Sequence, residues 1–463
     1  MKNKKKGVVI AAVKSGSGKT LITCALIQAL KNRDMAVCSY KCGPDYIDPM
    51  FHRTILGTTG GNLDTFFTGE EKTRESFDKN TPDDAFSVVE GVMGLYDGMG
   101  GISEEGSTYH LAKTLSLPII LVIDAHGMGR SILPLISGFL AYDTAKQICG
   151  VILNRVSKGY FPRIAELIRK ELAIEVFGYF EQDKKLQLES RHLGLKMPEE
   201  IASLKEQVQN ASKALEQSVD IDRILTAADS WETKQVHERS SIKQSIPTVI
   251  TDKKRPVLAL ARDEAFCFYY RENLRLLKDA GFQIKEFSPL HDRKLPDNSS
   301  ALLLGGGYPE LYALPLSKNE SMKQSIRENI QSGMPSVAEC GGFMYLHKYL
   351  VNEQKEIFDM AGVIDGECTW KGKLVRFGYV LVQEKENTFL ADGGLIKGHE
   401  FHYYDSSANG DSCIAKKASG TQSFECIWKD KKHWWGFPHL YYPSNPTFVE
   451  HFYQEALDYK KES

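Results

Sequence analysis

What this chain lacks narrows its possibilities first. It has no apolar run of the ~20 residues that a membrane-spanning helix needs, so no such helix is expected. Neither charge sign dominates: 58 Lys and Arg stand against 60 Asp and Glu, a net charge of −2. No whole-chain field therefore draws it to nucleic acid or to an anionic lipid surface. Short repeats and low-complexity tracts are missing, which excludes repeat architectures. Its nine cysteines are odd in number and scattered. That argues against a disulfide framework and for a reducing, cytoplasmic setting. Cys38 and Cys42 have no second Cys or His pair at zinc-ligand spacing, so no zinc site is expected there. Lys2–Lys6 reads as a solvated tail. The apolar run Val8–Val13 is too short for a signal peptide and has no small-residue cleavage site.

What is present fits a two-domain enzyme. At 463 residues, with 42% hydrophobic and 25% charged residues, the chain exceeds one ordinary core. Near-continuous apolar segments at 8–12, 36–40, 86–90, 118–124 and 150–154 alternate with helical patterns, including one from Thr20 to Arg33. Such alternation predicts a parallel sheet covered on both faces. A polar stretch with no apolar period follows and predicts a linker over 229–255. It separates a domain over 1–228 from a second over 256–463. Strand candidates resume at 257–261, 301–304 and 336–338, and the pattern turns more β-like over 373–382.

The first strand leads into Lys14-Ser15-Gly16-Ser17-Gly18-Lys19-Thr20, which opens a helix. Glycines at such a turn let backbone N–H groups face phosphate oxygens. Lys19 is expected to reach the terminal phosphates and Thr20 to offer its hydroxyl to Mg²⁺. Position 13 is Val rather than the usual glycine, so the loop resembles the deviant phosphate loop of ATPases related to MinD and dethiobiotin synthetase. Mg²⁺ needs hard oxygen ligands from neighbouring strand ends, and Asp45 and Glu90 are the candidates. Asp48 and Asp97 are read as facing an acceptor. Asn154 is read as framing the adenine, with a turn role as the alternative.

Three segments make the resemblance specific: Lys41-Cys42-Gly43-Pro44-Asp45-Tyr46-Ile47-Asp48-Pro49-Met50-Phe51-His52, Asn62-Leu63-Asp64, and Glu90-Gly91-Val92-Met93-Gly94-Leu95-Tyr96-Asp97-Gly98. They resemble the cobyrinate a,c-diamide synthases, the corrin-amidating ligases of cobalamin biosynthesis.

The second half carries Glu339-Cys340-Gly341-Gly342 after a short strand. That is the layout of an elbow that exposes a nucleophile. The glycines Gly305-Gly306-Gly307 end an earlier strand. Backbone N–H groups of Gly306 and Gly341 are the expected oxyanion donors. His439, in Gly436-Phe437-Pro438-His439, is the expected base, with His399 or His402 as rivals. These segments resemble the class I glutamine amidotransferase domain of the cobyrinate and cobyrate synthase group. Many such domains place a glutamate two residues after the histidine; here that position is Tyr441.

The resemblance thus covers nearly the whole chain. It implies an α/β fold: an N-terminal P-loop NTPase-like (dethiobiotin synthetase/MinD-like) parallel sheet domain, plus a C-terminal class I glutamine amidotransferase α/β domain. Cys340 would take ammonia from glutamine. ATP, with Mg²⁺, would convert a carboxylate to an acyl phosphate, and ammonia would displace the phosphate. A shielded path between the domains is expected to carry the ammonia. The implied partners are small molecules, with no nucleic acid and no membrane, and a homodimer is left open. Alternative acceptors are hydrogenobyrinate and nickel sirohydrochlorin. A MinD-like nucleotide switch and an ATP-independent thiol hydrolase are the rival classes.

Overall fold

Apolar strands buried on both faces pair side by side in the first half of the computed structural model. The structure describes residues 5–183, 186, 190–191, 194–195, 203–231, 255–390 and 393–462. The chain divides into two units, Met1–Ser240 and Ser241–Ser463. Residues 232–254 of the expected linker lie outside the described residues.

Unit one holds β1 (Lys6–Ala12), β2 (Val37–Cys42), β3 (Thr59–Leu63), β4 (Phe86–Glu90), β5 (Ile119–Asp124), β6 (Ile148–Asn154) and β7 (Glu175–Phe180). They form one parallel sheet in the order β3-β2-β4-β1-β5-β6-β7. β1 lies at its centre between β4 and β5, and six of its seven residues are buried. Open sheets of this kind bind ligands outside the carboxyl ends of their central strands. Helix α1 (Lys19–Asn32) begins there and buries Ile22, Ala25, Leu26 and Ala29. Helix α2 (Ile47–Thr54) follows β2.

β3 and β7 stand outside the strands expected from apolar pattern. β3 reads Thr-Gly-Gly-Asn-Leu, with weak intrinsic strand preference. Its place comes from tertiary packing. A Cβ on Gly60 would lie 1.7 Å from the Ser39 carbonyl oxygen, so only glycine lets β3 approach β2 this closely.

Unit two holds β8 (Val257–Ala261), β9 (Gln283–Phe287), β10 (Ser299–Leu304), β11 (Ser336–Glu339), β12 (Arg376–Glu384), β13 (Leu395–His402), β14 (Trp428–Lys429), β15 (His433–Gly436) and β16 (His439–Leu440). A six-stranded sheet runs β9-β8-β10-β11-β15-β14 and is parallel except at the β14 edge. The β-like segment expected over 373–382 begins instead at Arg376 and lies in a five-stranded antiparallel sheet with β13 and β16. In the parallel sheet Glu339 pairs with Gly436. The segments carrying Cys340 and His439 therefore leave the same end of adjacent strands. Among the described residues, no helix is long and apolar enough to cross a membrane.

Candidate active sites

The loop between β1 and α1 turns on two left-handed glycines, Gly16 at φ 77° and Gly18 at φ 94°. Ser17 Oγ donates to the Lys14 carbonyl at 2.9 Å and tightens the turn. Asn154, at the end of β6, donates to the Ser17 carbonyl at 2.8 Å. A Cβ on Gly18 would lie 2.1 Å from Asn154 Nδ2, so the loop and β6 fit only through glycine. Asn154 thus braces the loop itself. Arg155 bonds Asp124 at 2.8 Å and reaches the Gly16 carbonyl at 3.3 Å.

Behind the loop the charged side chains interlock. Lys19 donates to the Met93 carbonyl at 2.5 Å. Burial, then the nearby Lys41 cation, lowers its pKa to about 8. Thr20 Oγ1 donates to Glu90 Oε1 at 2.6 Å. Lys41, at the end of β2, sits 3.0 Å from the same oxygen and 2.5 Å from Asp48 Oδ2. Burial alone would raise the Glu90 carboxyl, but Lys41, His52 and Thr20 hold it well below its ordinary value. Removing one member of such a buried pair strands a charge and costs about 3–5 kcal/mol.

The remaining acids divide by position. Asp45 Oδ1 accepts from the amides of Ile47 and Asp48 and so caps the start of α2. Burial raises its carboxyl despite Lys41. Asp97 Oδ2 accepts from the Gly94 amide at 2.9 Å and shapes the loop after β4. Thr20 and Glu90 are directly hydrogen-bonded beside the phosphate loop, and Lys41 ties Asp48 to the same cluster. Glu90 Oε2 is buried with no aligned hydrogen bond, although His52 Nε2 lies 3.2 Å away. An Mg²⁺ ion is usually held by one or two protein oxygens plus substrate phosphates, and this donor set fits that habit.

In unit two the backbone at Cys340 adopts φ 45° and ψ −103°, a conformation rare outside glycine. The residue caps the short helix Gly341–Leu346. Its amide donates to the Gly436 carbonyl at 2.9 Å, and the Gly342 amide donates to the Gly305 carbonyl at 2.9 Å. A Cβ on Gly342 would lie 2.2 Å from the Leu304 carbonyl oxygen. A Cβ on Gly341 would lie 3.0 Å from the Gly307 amide nitrogen, and one on Gly306 would lie 2.3 Å from His439 Cε1. The glycine triplet, the thiol turn and His439 thus pack on one another. Burial, then Glu310, pushes the Cys340 thiol well up, while the Gly341 N–H pulls it down. Burial, His399 and His402 hold the His439 imidazole well below its ordinary value. Both groups rest neutral.

His399 lies directly across the strand pair from His439, their rings 5.0 Å apart and nearly parallel. Tyr270 lies 3.0 Å from His399 Nδ1. His402 stacks instead on Phe437 at 4.0 Å. Roles for Lys41, His52 and Tyr270 did not follow from motif spacing, because each gains its partner only through the fold. Lys41 had one signal: a lysine ending a strand beside an acid-rich loop.

Residues 8–195 match the CobQ/CobB/MinD/ParA nucleotide binding domain, and residues 257–440 match the CobB/CobQ-like glutamine amidotransferase domain. A cobyrinate a,c-diamide synthase of Caldanaerobacter subterraneus subsp. tengcongensis is 38% identical over 93% of this chain and 94% of its own. The synthase of Fusobacterium nucleatum subsp. nucleatum is 36% identical over 96% and 99%. That of Picrophilus torridus is 37% identical over 97% and 99%. Two domain matches and near full-length identity above a third agree with the two sites described: the chain belongs to the cobyrinate a,c-diamide synthase family.

Proposed function

We propose that this chain is an ATP- and glutamine-dependent ligase that amidates the a and c carboxylates of cobyrinate in cobalamin biosynthesis. One observation carries the reading. A phosphate cradle with a buried carboxylate and a thiol elbow with a facing histidine occur in a single chain.

A carboxylate resists ammonia because its oxygen is a poor leaving group. Phosphoryl transfer from ATP makes that oxygen part of a phosphate. Amides of the 14–20 loop bind the phosphates, and Lys19 stabilises the charge on the moving phosphoryl group. Thr20 and Glu90 would hold Mg²⁺, with Asp45 beside them, and the bound ion would neutralise phosphate charge. Asp48 and Asp97 flank this loop as candidate acceptor-side groups. In the other unit, the neutral Cys340 thiol passes its proton to His439 as sulfur attacks the glutamine side-chain amide. Amides of Gly306 and Gly341 are the proposed oxyanion donors. The protonated histidine gives its proton to the leaving nitrogen, ammonia departs, and water releases glutamate from the thioester. Cysteine usage and the solubility of these substrates support a cytoplasmic setting.

The test is turnover on purified cobyrinate, hydrogenobyrinate and nickel sirohydrochlorin, each with ATP and glutamine. The proposal expects cobyrinate to give the highest kcat/KM and a diamide product. Preference for either other acceptor, or no amidation at all, overturns it.

A further inference from the structure

The residue before the thiol holds a second, unassigned position. Glu339 ends β11, and its carboxyl is buried. Tyr442 donates its hydroxyl to Glu339 Oε1 at 2.9 Å. The backbone amide of Leu440 also faces this carboxyl. Both donors belong to the segment that immediately follows His439. The same segment is held from its other side by Asn273, which donates to the Leu440 carbonyl at 2.7 Å and accepts from the Tyr442 amide at 2.9 Å. Residues 440–442 are Leu, Tyr and Tyr, so none brings a charge to this segment.

We propose that Glu339 is the positioning residue of the thiol site: from the nucleophile strand it clamps the histidine-bearing segment and fixes His439 against Cys340. The inference rests on the glutaminase reading above. One side chain joins the two strands whose ends carry the reacting pair, so displacement of either strand breaks its hydrogen bonds. A misplacement of about 1 Å in such a pair can cost about 100-fold in rate.

The clamp also has to be uncharged. An anion next to Cys340 opposes formation of the thiolate. Glu310 and Glu400 already press on the thiol in that direction, and an ionised Glu339 would add to them. Burial pushes the Glu339 carboxyl up to about 8, against the pull of the Tyr442 hydroxyl and the Leu440 amide. Two titratable groups face it besides the thiol: Tyr442, which bonds it directly, and Tyr269, itself raised by burial. Glu339 therefore stays protonated near neutral pH. Its ionisation above pH 8 raises the thiol further and lowers glutaminase activity.

The experiment measures glutaminase kcat and KM across pH on both sides of 8, beside ammonia-driven amidation as the folding control. Glu339→Gln keeps the acceptor for Tyr442 and cannot ionise, so it retains neutral-pH activity and loses the alkaline fall. Glu339→Ala lowers kcat by roughly 100-fold, leaves KM for glutamine nearly unchanged, and spares ammonia-driven amidation. Tyr442→Phe removes a donor that lowers the carboxyl's pKa, so the alkaline fall moves to higher pH. An unchanged alkaline fall in Glu339→Gln, or wild-type kcat in Glu339→Ala, overturns the proposal. If Glu339→Ala fails to fold, the pH profiles of the Gln and Phe variants decide alone. Cys340→Ala separates the two readings. Glutaminase persisting in it sinks the thiol assignment, whereas its loss beside unaltered Glu339 variants sinks only the clamp.

Discussion

The two sites solve opposite electrostatic problems with one piece of architecture. Each lies where a central parallel strand runs through a tight turn into a helix N-terminus. In unit one the turn is built on Gly16 and Gly18, and Lys19, Lys41, Glu90 and Asp48 crowd behind it. In unit two the turn is carried by Cys340 itself, and the histidine and thiol around it are neutral. A polyanionic ligand is met by cations whose own cost of burial is offset by buried carboxylates. A neutral amide is met by a neutral pair that becomes charged only during reaction. Backbone strain divides the same way. Glycine adopts positive φ freely, whereas a cysteine at φ 45° stores about 1–3 kcal/mol that the surrounding strands must hold.

The largest expected effect removes a cation. Lys19→Ala should lower both glutamine-driven and ammonia-driven amidation by at least about 100-fold and leave glutaminase turnover intact. Product assays with each nitrogen source check this. Loss of glutaminase as well would erase the division of labour between the units.

A smaller effect comes from the turn. Gly18→Ala meets Asn154 Nδ2 at 2.1 Å and forces an L residue into positive φ. The conformation alone costs about 1–2 kcal/mol, and the clash adds to it. Calorimetry should show a lowered Tm that ATP restores only in part, because the deformed loop binds phosphate poorly. A wild-type Tm and ATP affinity would show that the loop is not built as described.

The smallest effect is a titration. Burial and Lys41 lower the Lys19 pKa to about 8, so the free enzyme loses this positive charge as pH rises through that value. ATP affinity should fall above pH 8, and Lys19→Arg should flatten the fall because guanidinium stays charged. By linkage, the unfolded chain binds the extra proton between about 8 and 10.5, so this group's unfavourable contribution shrinks over that window. Calorimetric titration of ATP at stepped pH checks the sign. A flat profile in the wild type would contradict the burial of Lys19.

Much of this was legible in the sequence because turn chemistry is local. Gly16, Gly18, Gly341 and Gly342 stand where strand gives way to helix, and the structure puts a tight turn at each place. What stayed hidden depends on partners far along the chain. Asp45 is expected as a metal ligand from its place after β2, and the fold adds that its Oδ1 caps α2. Asn154 is expected to frame the adenine or to serve a turn, and the fold adds that it ties β6 to the phosphate loop 137 residues earlier. β3 escaped notice because its two glycines suppress strand propensity, while close approach to β2 requires one of them. Glu339 looked like part of a nucleophile motif, and only the fold revealed Tyr442 against its carboxyl.

The central claim is that unit two supplies ammonia and unit one makes the carbon–nitrogen bond. Cys340→Ala tests it most directly, with corrin amidation measured under saturating glutamine and, separately, under saturating ammonium at alkaline pH. The account predicts that glutamine-driven turnover disappears while ammonia-driven turnover stays near the wild-type rate. Equal loss of both, or survival of the glutamine-driven reaction, would contradict it.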